Sequence, residues 1–381
     1  NSGNWLVNGG KTNTADIPSL VSTLLTWERV RSFNVGFDFS AFSNRLTGSF
    51  DYFVRKTVDM VGPAPQLPLV LGIAPAIVNN ADMKSYGFEI ELSWRDRIGE
   101  VDYGVKFNLA DAQQKVVKYP NTTNAFNDWY AGKMSGEIWG YTSLGIAKTD
   151  EEMKEHLASL PNGGQNQLGN KWGAGDIMYA DINGDGKVDG GKGTLADPGD
   201  QRIIGNSTPR YNFGLVLDAS YKGFDVSIFF QGVGKRDYAP IVGTNGAVFW
   251  GAVNNIWQSM AMEEHFDYFR PEGHPMGANL NGYYPRPDFT SNKNHQVQTR
   301  YLQDASYIRL KNLQIGYTLP KQWINKLHIN RCRVYVSGDN LWTGTSLASM
   351  FDPETLAAGD WGSGKTYPLS KVISFGLNVN F

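Results

Sequence analysis

The chain has few of the residues that staple, charge or catalyse. Of its 381 residues only Cys332 is a cysteine, so no internal disulfide can form, and a lone thiol in a strand-like run reads as a packing residue. Its 35 Lys and Arg stand against 37 Asp and Glu, a net charge of -2, leaving no cation excess of the kind that grips a phosphate backbone. Nucleic acid is therefore not an expected partner. The five histidines, His156, His265, His274, His295 and His328, form no HExxH and no i, i+4 pair, which removes the usual catalytic zinc arrangement. There is no Gly-x-Ser-x-Gly elbow. Acids such as Glu89 and Glu91 recur along one strand phase, so no carboxylate pair stands out as a glycosidase dyad. A long apolar helix is also lacking. The uncharged stretch between Asp59 and Asp82 carries Pro63, Pro65, Pro68 and Pro75, each of which removes a backbone donor, so it reads as an extended loop. The chain opens on Asn1 with neither leader nor initiator Met, and is expected to start part-way through something larger or after processing.

What is abundant is aromatic side chains, 13% of residues, and glycine, 43 in all. That mixture suits many strands with tight turns. The segment SYGFEIELSW, residues 85–94, alternates without error: Tyr86, Phe88, Ile90, Leu92 and Trp94 on one phase, Ser, Gly and Glu on the other. Phe33, Val35, Phe37 and Phe39 oppose Asn34, Gly36, Asp38 and Ser40 in the same way. Nine strands are predicted, over 27–42, 46–60, 83–95, 101–115, 208–221, 224–236, 301–318, 330–342 and 370–381. Most exceed the 5 or 6 residues of an ordinary strand and reach the 9 to 11 that cross a bilayer. Short connections, at 43–45, 96–100, 222–223 and after Leu319, alternate with long ones, at 61–81, 116–206, 237–300 and 343–369. Aromatics flank the short turns: Trp94 and Tyr103, Tyr221 and Phe224, and Tyr317. Tight turns at one end, long loops at the other and interfacial aromatics are the pattern of an outer-membrane barrel. The oily phase is then expected to face lipid, the long loops to be extracellular, and the C-terminus to be periplasmic. An odd number of strands with open edges calls for the rest of the wall elsewhere.

Several blocks resemble one family: Trp27-Glu28-Arg29 leading into FNVGFDFSAFSNRLTGSFDYFVRKTVDM, then LPLVLG with KSYGFEIELSWRD, GEIWGYTSLGIAKTDEEM, GDIMYADINGDGKVD, DQRIIGNSTPRYNFGL, ASYIRLKNLQIGYTLP and the closing YPLSKVISFGLNVNF. Together they look like the SusC/RagA family of TonB-dependent outer-membrane importers of Bacteroidetes. The resemblance implies an all-β fold: the C-terminal portion, about nine antiparallel strands, of a 22-stranded transmembrane barrel with long extracellular loops. It implies import of oligosaccharides or peptides with a SusD-like surface lipoprotein, driven by the TonB-ExbB-ExbD machinery through a plug segment outside this sequence. It also implies a transporter rather than an enzyme. The alternating C-terminal Ile373, Phe375, Leu377, Val379 and Phe381 resemble the signal read by barrel-assembly machinery. A secreted all-β carbohydrate-binding or hydrolytic domain, or a passive porin, are the alternatives.

Three local motifs bear on ligands. Asp181, Asn183, Asp185, Lys187 through its carbonyl, and Asp189 occupy positions 1, 3, 5, 7 and 9 of a calcium loop, with Gly186 at the sharp turn. Position 12 is Lys192, so Asp197 or Asp200 must fold back to supply the missing carboxylate; a run of Asx turns without Ca2+ is the other reading. Gly359 to Thr366 matches the Walker spacing, but Pro368 and a strand follow in place of a helix, so it reads as a surface loop. The long loops carry Trp129, Tyr130, Trp139, Trp172, Trp250, Trp257, Tyr283, Tyr284 and Trp361, able to stack on sugars, dock a partner or pack together. Trp129, Tyr130 and Trp250 are the substrate-contact candidates. Thr149, followed by Asp150, Glu151 and Glu152, predicts a capped helix in the second long loop.

Overall fold

A computed structural model describes residues 2–7, 9–13, 20, 22–23, 25–64, 75–240, 247–251, 262–288, 293–325, 328–356 and 366–381. The phosphate-loop match, but for Thr366, together with Trp257 and Trp361, lies outside the described residues. Nine strands make one antiparallel sheet: β1 (Arg29–Ala41), β2 (Leu46–Gly62), β3 (Val78–Ile98), β4 (Val101–Lys118), β5 (Arg210–Tyr221), β6 (Phe224–Lys235), β7 (Tyr307–Thr318), β8 (Arg331–Thr345) and β9 (Val372–Asn380). Each pairs with its neighbours in sequence, so the sheet is a simple meander from β1 to β9. Its two outer edges have no strand against them among the described residues.

The period-two pattern fixes the register. Phe37, Phe50, Ile90, Leu109 and Phe213 fall in one cross-strand row, and Asp38, Ser49, Glu91 and Asn108 in the next. A slip by one residue on any strand would mix oily and polar rows, which is why alternation specifies pairing so firmly. Turn chemistry agrees: β5 and β6 are joined by Lys222 and Gly223, both at positive φ (46 and 91), the two-residue hairpin that matches strand twist. At the turn end, Trp94 donates its indole N–H to the Tyr103 hydroxyl at 3.1 Å, and Phe224 lies 4.4 Å from Tyr317, ring to ring.

Among the described residues the sheet has no dry core under its oily face. Phe37 is 60% exposed, Leu92 38% and Phe375 85%, while Phe88 and Phe213 are only half-buried. Buried apolar residues on these strands, namely Val58, Ala81, Val116, Val233, Tyr307 and Cys332, sit near strand ends. Burial of Cys332 agrees with its reading as a packing residue.

Strand ends shift by up to three residues from the sequence reading, and two starts shift further. β3 begins at Val78 rather than 83, because the Asn79 side chain donates to the backbone carbonyls of Thr26 and Asp59 and carries the polar lead-in into the ladder. β7 begins at Tyr307 rather than 301, since Thr299–Tyr301 form a 3-10 turn. A hairpin of Ser2–Val7 with Gly10–Asn13 precedes the sheet and has no counterpart in the predicted strands. Among the described residues no helix is long and apolar enough to cross a membrane.

Candidate functional site: the packed loop layer

Three of the long connections fold together at the end of the sheet opposite the tight turns. Tyr141, Ile177, Tyr179 and Val188 from the β4–β5 loop, Phe249, Trp250, Tyr284 and Tyr301 from the β6–β7 loop, and Leu347, Phe351 and Leu356 from the β8–β9 loop share one core. Backbone pairing joins the first two loops, with the Tyr141 amide donating to the Val297 carbonyl at 2.8 Å. Small ladders within single loops, Glu137–Gly140 with Arg202–Asn206, Ser143–Ile146 with Ile177–Tyr179, and Asp237–Tyr238 with Gln303–Asp304, satisfy main-chain groups. Helix α1 (Asp150–Ala158) starts where the sequence placed it: the Thr149 hydroxyl accepts from the Glu152 amide at 3.1 Å, with acids in the first turn.

One charged cluster locks the layer. The Asp176 carboxylate is fully buried and accepts from Arg286 Nη2 at 2.7 Å, Lys293 Nζ at 2.8 Å and Asn294 Nδ2 at 2.9 Å. Lys293 is itself buried and lies over the Trp172 ring. Tyr179 donates its hydroxyl to the Lys293 carbonyl at 2.6 Å, and burial pushes its pKa far above the usual phenol range. A second cluster ties the β8–β9 loop to the sheet: Arg309 on β7 reaches Asp352 and Glu354, each at 2.7 Å. Sequence reasoning missed both, since the partners in the first lie 110 or more residues apart and no spacing rule connects them.

The substrate-contact candidates separate. Trp250 has no exposed surface and packs edge-on against Tyr301, with ring centroids 4.7 Å apart, so it builds the core and no ligand can stack on it as folded. Trp129 is 40% exposed and lies beside Tyr130 on a turn held by Lys133, whose ammonium donates to the carbonyls of Phe126 and Asp128. Tyr130 is half-buried; burial first, and then its hydrogen bond to Glu137, push its hydroxyl up to about 12. Trp139 stacks on Phe126 at 4.6 Å, and Trp172, Tyr283 and Tyr284 pack with the core. Of the three, Trp129 is the most exposed, with the Lys133 ammonium 5.8 Å from its ring centre.

Asp181, Asn183, Asp185, Lys187 and Asp189 lie on one tight turn. Asp181 accepts the amides of Gly184 at 2.7 Å and Gly186 at 2.8 Å, while Asp189 pairs with the Lys187 ammonium, which draws its pKa down. Asp200 does fold back, but its carboxylate accepts the amides of Ile182 at 2.7 Å and Asp189 at 2.8 Å; burial raises its pKa. As folded, the turn is closed by its own donors, the arrangement of Asx turns. Among the described residues no three acidic, His or Cys side chains converge as a metal site.

Residues 2–341 match the family described as TonB dependent receptor-like, beta-barrel. The chain belongs to that family. Among curated members, TonB-dependent receptor P3 of Formosa agariphila is 29% identical over 387 residues, covering 94% of this chain and 34% of that protein. TonB-dependent receptor SusC of Bacteroides thetaiotaomicron is 20% identical, covering 96% of this chain and 33% of its own. A solved RagAB peptide transporter shares the fold, with a TM-score of 0.70 and 23% identity over 99% of this chain and 38% of that one. This TonB-dependent receptor segment thus spans about a third of the length of the curated relatives it matches. The open nine-stranded sheet is a part of such a barrel, and the relatives' names are those of receptors, not enzymes.

Proposed function

We propose that the chain supplies part of the wall and most of a loop layer for an outer-membrane importer that takes up oligosaccharides or peptides. The observation that carries this is the inverted burial: oily strand faces lie open while the dry core belongs to the loops. A soluble sheet protein buries its oily face under a second layer, whereas a barrel turns it to hydrocarbon. In this reading the tight turns and the C-terminus are periplasmic, and the loop layer faces the cell exterior. TonB-ExbB-ExbD acts through a plug segment carried elsewhere, and a SusD-like lipoprotein sits over the loops. Support for the lid comes from the names of the SusC and RagAB relatives and from open apolar residues on the layer, Trp129, Phe266 and Met276.

The test uses the full-length gene product in its own outer membrane. The importer reading expects extraction only with detergent, heat-modifiable migration, co-purification of a neighbouring lipoprotein, and ligand uptake that stops when TonB is removed. A detergent-free monomer in buffer would point instead to the secreted domain. Uptake that continues without TonB would point to a passive porin.

A further inference from the structure

The oily phase of β1 to β4 ends, toward the long loops, in a row of cations. Arg31 pairs across the ladder with Lys56, Lys56 with Lys84, and Lys84 with Lys115. All four continue the same phase as the rows below them, Phe33, Val54, Tyr86, Gln113 and then Val35, Tyr52, Phe88, Asp111, which are apolar on β1 to β3 and polar on β4 until Leu109. They stand ten residues from the turn-side ends of β1 and β2 and fourteen from those of β3 and β4. With about 9 to 11 tilted residues needed to cross hydrocarbon, that height is the far headgroup layer.

Like charges directly opposite one another on neighbouring strands, ~4.8 Å apart, repel. Three such pairs in succession need an anion to balance them, and the protein supplies little. Asp82 approaches Lys56 only to 3.8 Å, Asp59 is engaged by Arg29, and Asp111, two rows down, by Arg210. Among the described residues no carboxylate pairs with Arg31, Lys84 or Lys115. Arg31 and Lys115 are exposed, and the Lys84 ammonium lies 5.3 Å from the Tyr86 ring centre, its charge at the boundary between the cationic and apolar rows.

We propose that this row binds the phosphate-bearing headgroup of an outer-leaflet lipid, whose acyl chains lie down the Tyr86, Phe88 and Ile90 phase. The proposal rests on the reading that the oily phase faces lipid with the long loops outside. A lipid matches both halves of the surface, cations above and, on β1 to β3, apolar rows below, which a soluble anion does not.

The test is native mass spectrometry of the full-length transporter in detergent, with lipid A bearing two phosphates, its dephosphorylated form, or inorganic phosphate added. The expected result is retention of lipid A and neither of the others. The Lys84→Gln, Lys115→Gln double variant should weaken retention by roughly tenfold or more, since a lost charge-assisted contact is of that size. Lys106→Gln, on the opposite phase, should leave it unchanged; heat-modifiable migration confirms that each variant folds. Equal retention by the double variant, or of the dephosphorylated lipid, overturns the proposal. Impermeant-reagent labelling of Trp129→Cys in whole cells that lack the lipoprotein separates the two failures. If that position is shielded from outside, the orientation is wrong; if it labels and lipid A is not held, the lipid inference alone is wrong.

Discussion

Replacing Asp176 by Asn keeps the shape of the side chain and removes its charge. The loss is not shared equally. Arg286 is partly exposed and can turn toward water, but the Lys293 ammonium is 1% exposed and would keep only the carbonyls of Asn170 and Lys171 and the more distant Asp288 carboxylate, at 3.8 Å, among the contacts described. Breaking a buried ion pair by removing one partner costs about 3–5 kcal/mol, because the remaining charge stays desolvated. Since 1.4 kcal/mol is tenfold in an opening equilibrium, protection of the Ile177 and Tyr179 amides against hydrogen exchange should fall by roughly a hundredfold to a few thousandfold in the assembled transporter. Strand amides of β3 and β4 should not change. Adding Lys293→Met to Asp176→Leu should restore part of the protection, as an apolar pair of similar volume removes both charges together. A change below tenfold in Asp176→Asn would refute the view that this cluster locks the loops.

Three further outcomes follow from the same geometry. Leu92→Arg places a charge on the oily phase and should cost about 2–4 kcal/mol in unfolding from bilayers, whereas Glu91→Arg next to it should be near neutral; equal costs would contradict the assignment of faces. Burial holds the His156 imidazole below its ordinary range, so the folded loop excludes a proton that the unfolded chain accepts. Loop stability is therefore full above pH 6.5 and declines as pH falls through the folded value; a decline that persists in His156→Gln would show another group is responsible. Because the Asp181 to Asp189 turn is closed by its own amides, chelators should leave loop protection unchanged, and a rise in protection on adding calcium would show that the ion displaces the Lys187 contact and binds there after all.

The barrel wall was legible because alternation, turn residues and strand length reported the same thing on every strand. Phe37, Phe50, Ile90 and Leu109 each announce their phase from sequence, and register merely aligns them. The Thr149 cap was legible for a similar reason, since its determinants lie within three residues. The loop layer was not. Trp250 and Trp129 look alike in a string of letters, yet one lies at the centre of a core and the other on its rim, a difference set by contacts from other loops. Asp176 gave no signal because a buried carboxylate is recognised by partners that only the fold brings near. The acidic turn was ambiguous because the oxygens that could ligate calcium serve equally well as acceptors for backbone amides.

The most direct test of the account is a spin-label scan of residues 86–94 in the full-length transporter reconstituted in bilayers, read by collision with oxygen and with a water-soluble nickel complex. The account predicts period two: labels at Phe88, Ile90 and Leu92 reached by oxygen from the lipid, and labels at Glu89, Glu91 and Ser93 reached by nickel. The reverse phase, or uniform shielding at Phe88, Ile90 and Leu92 from both reagents, would contradict it.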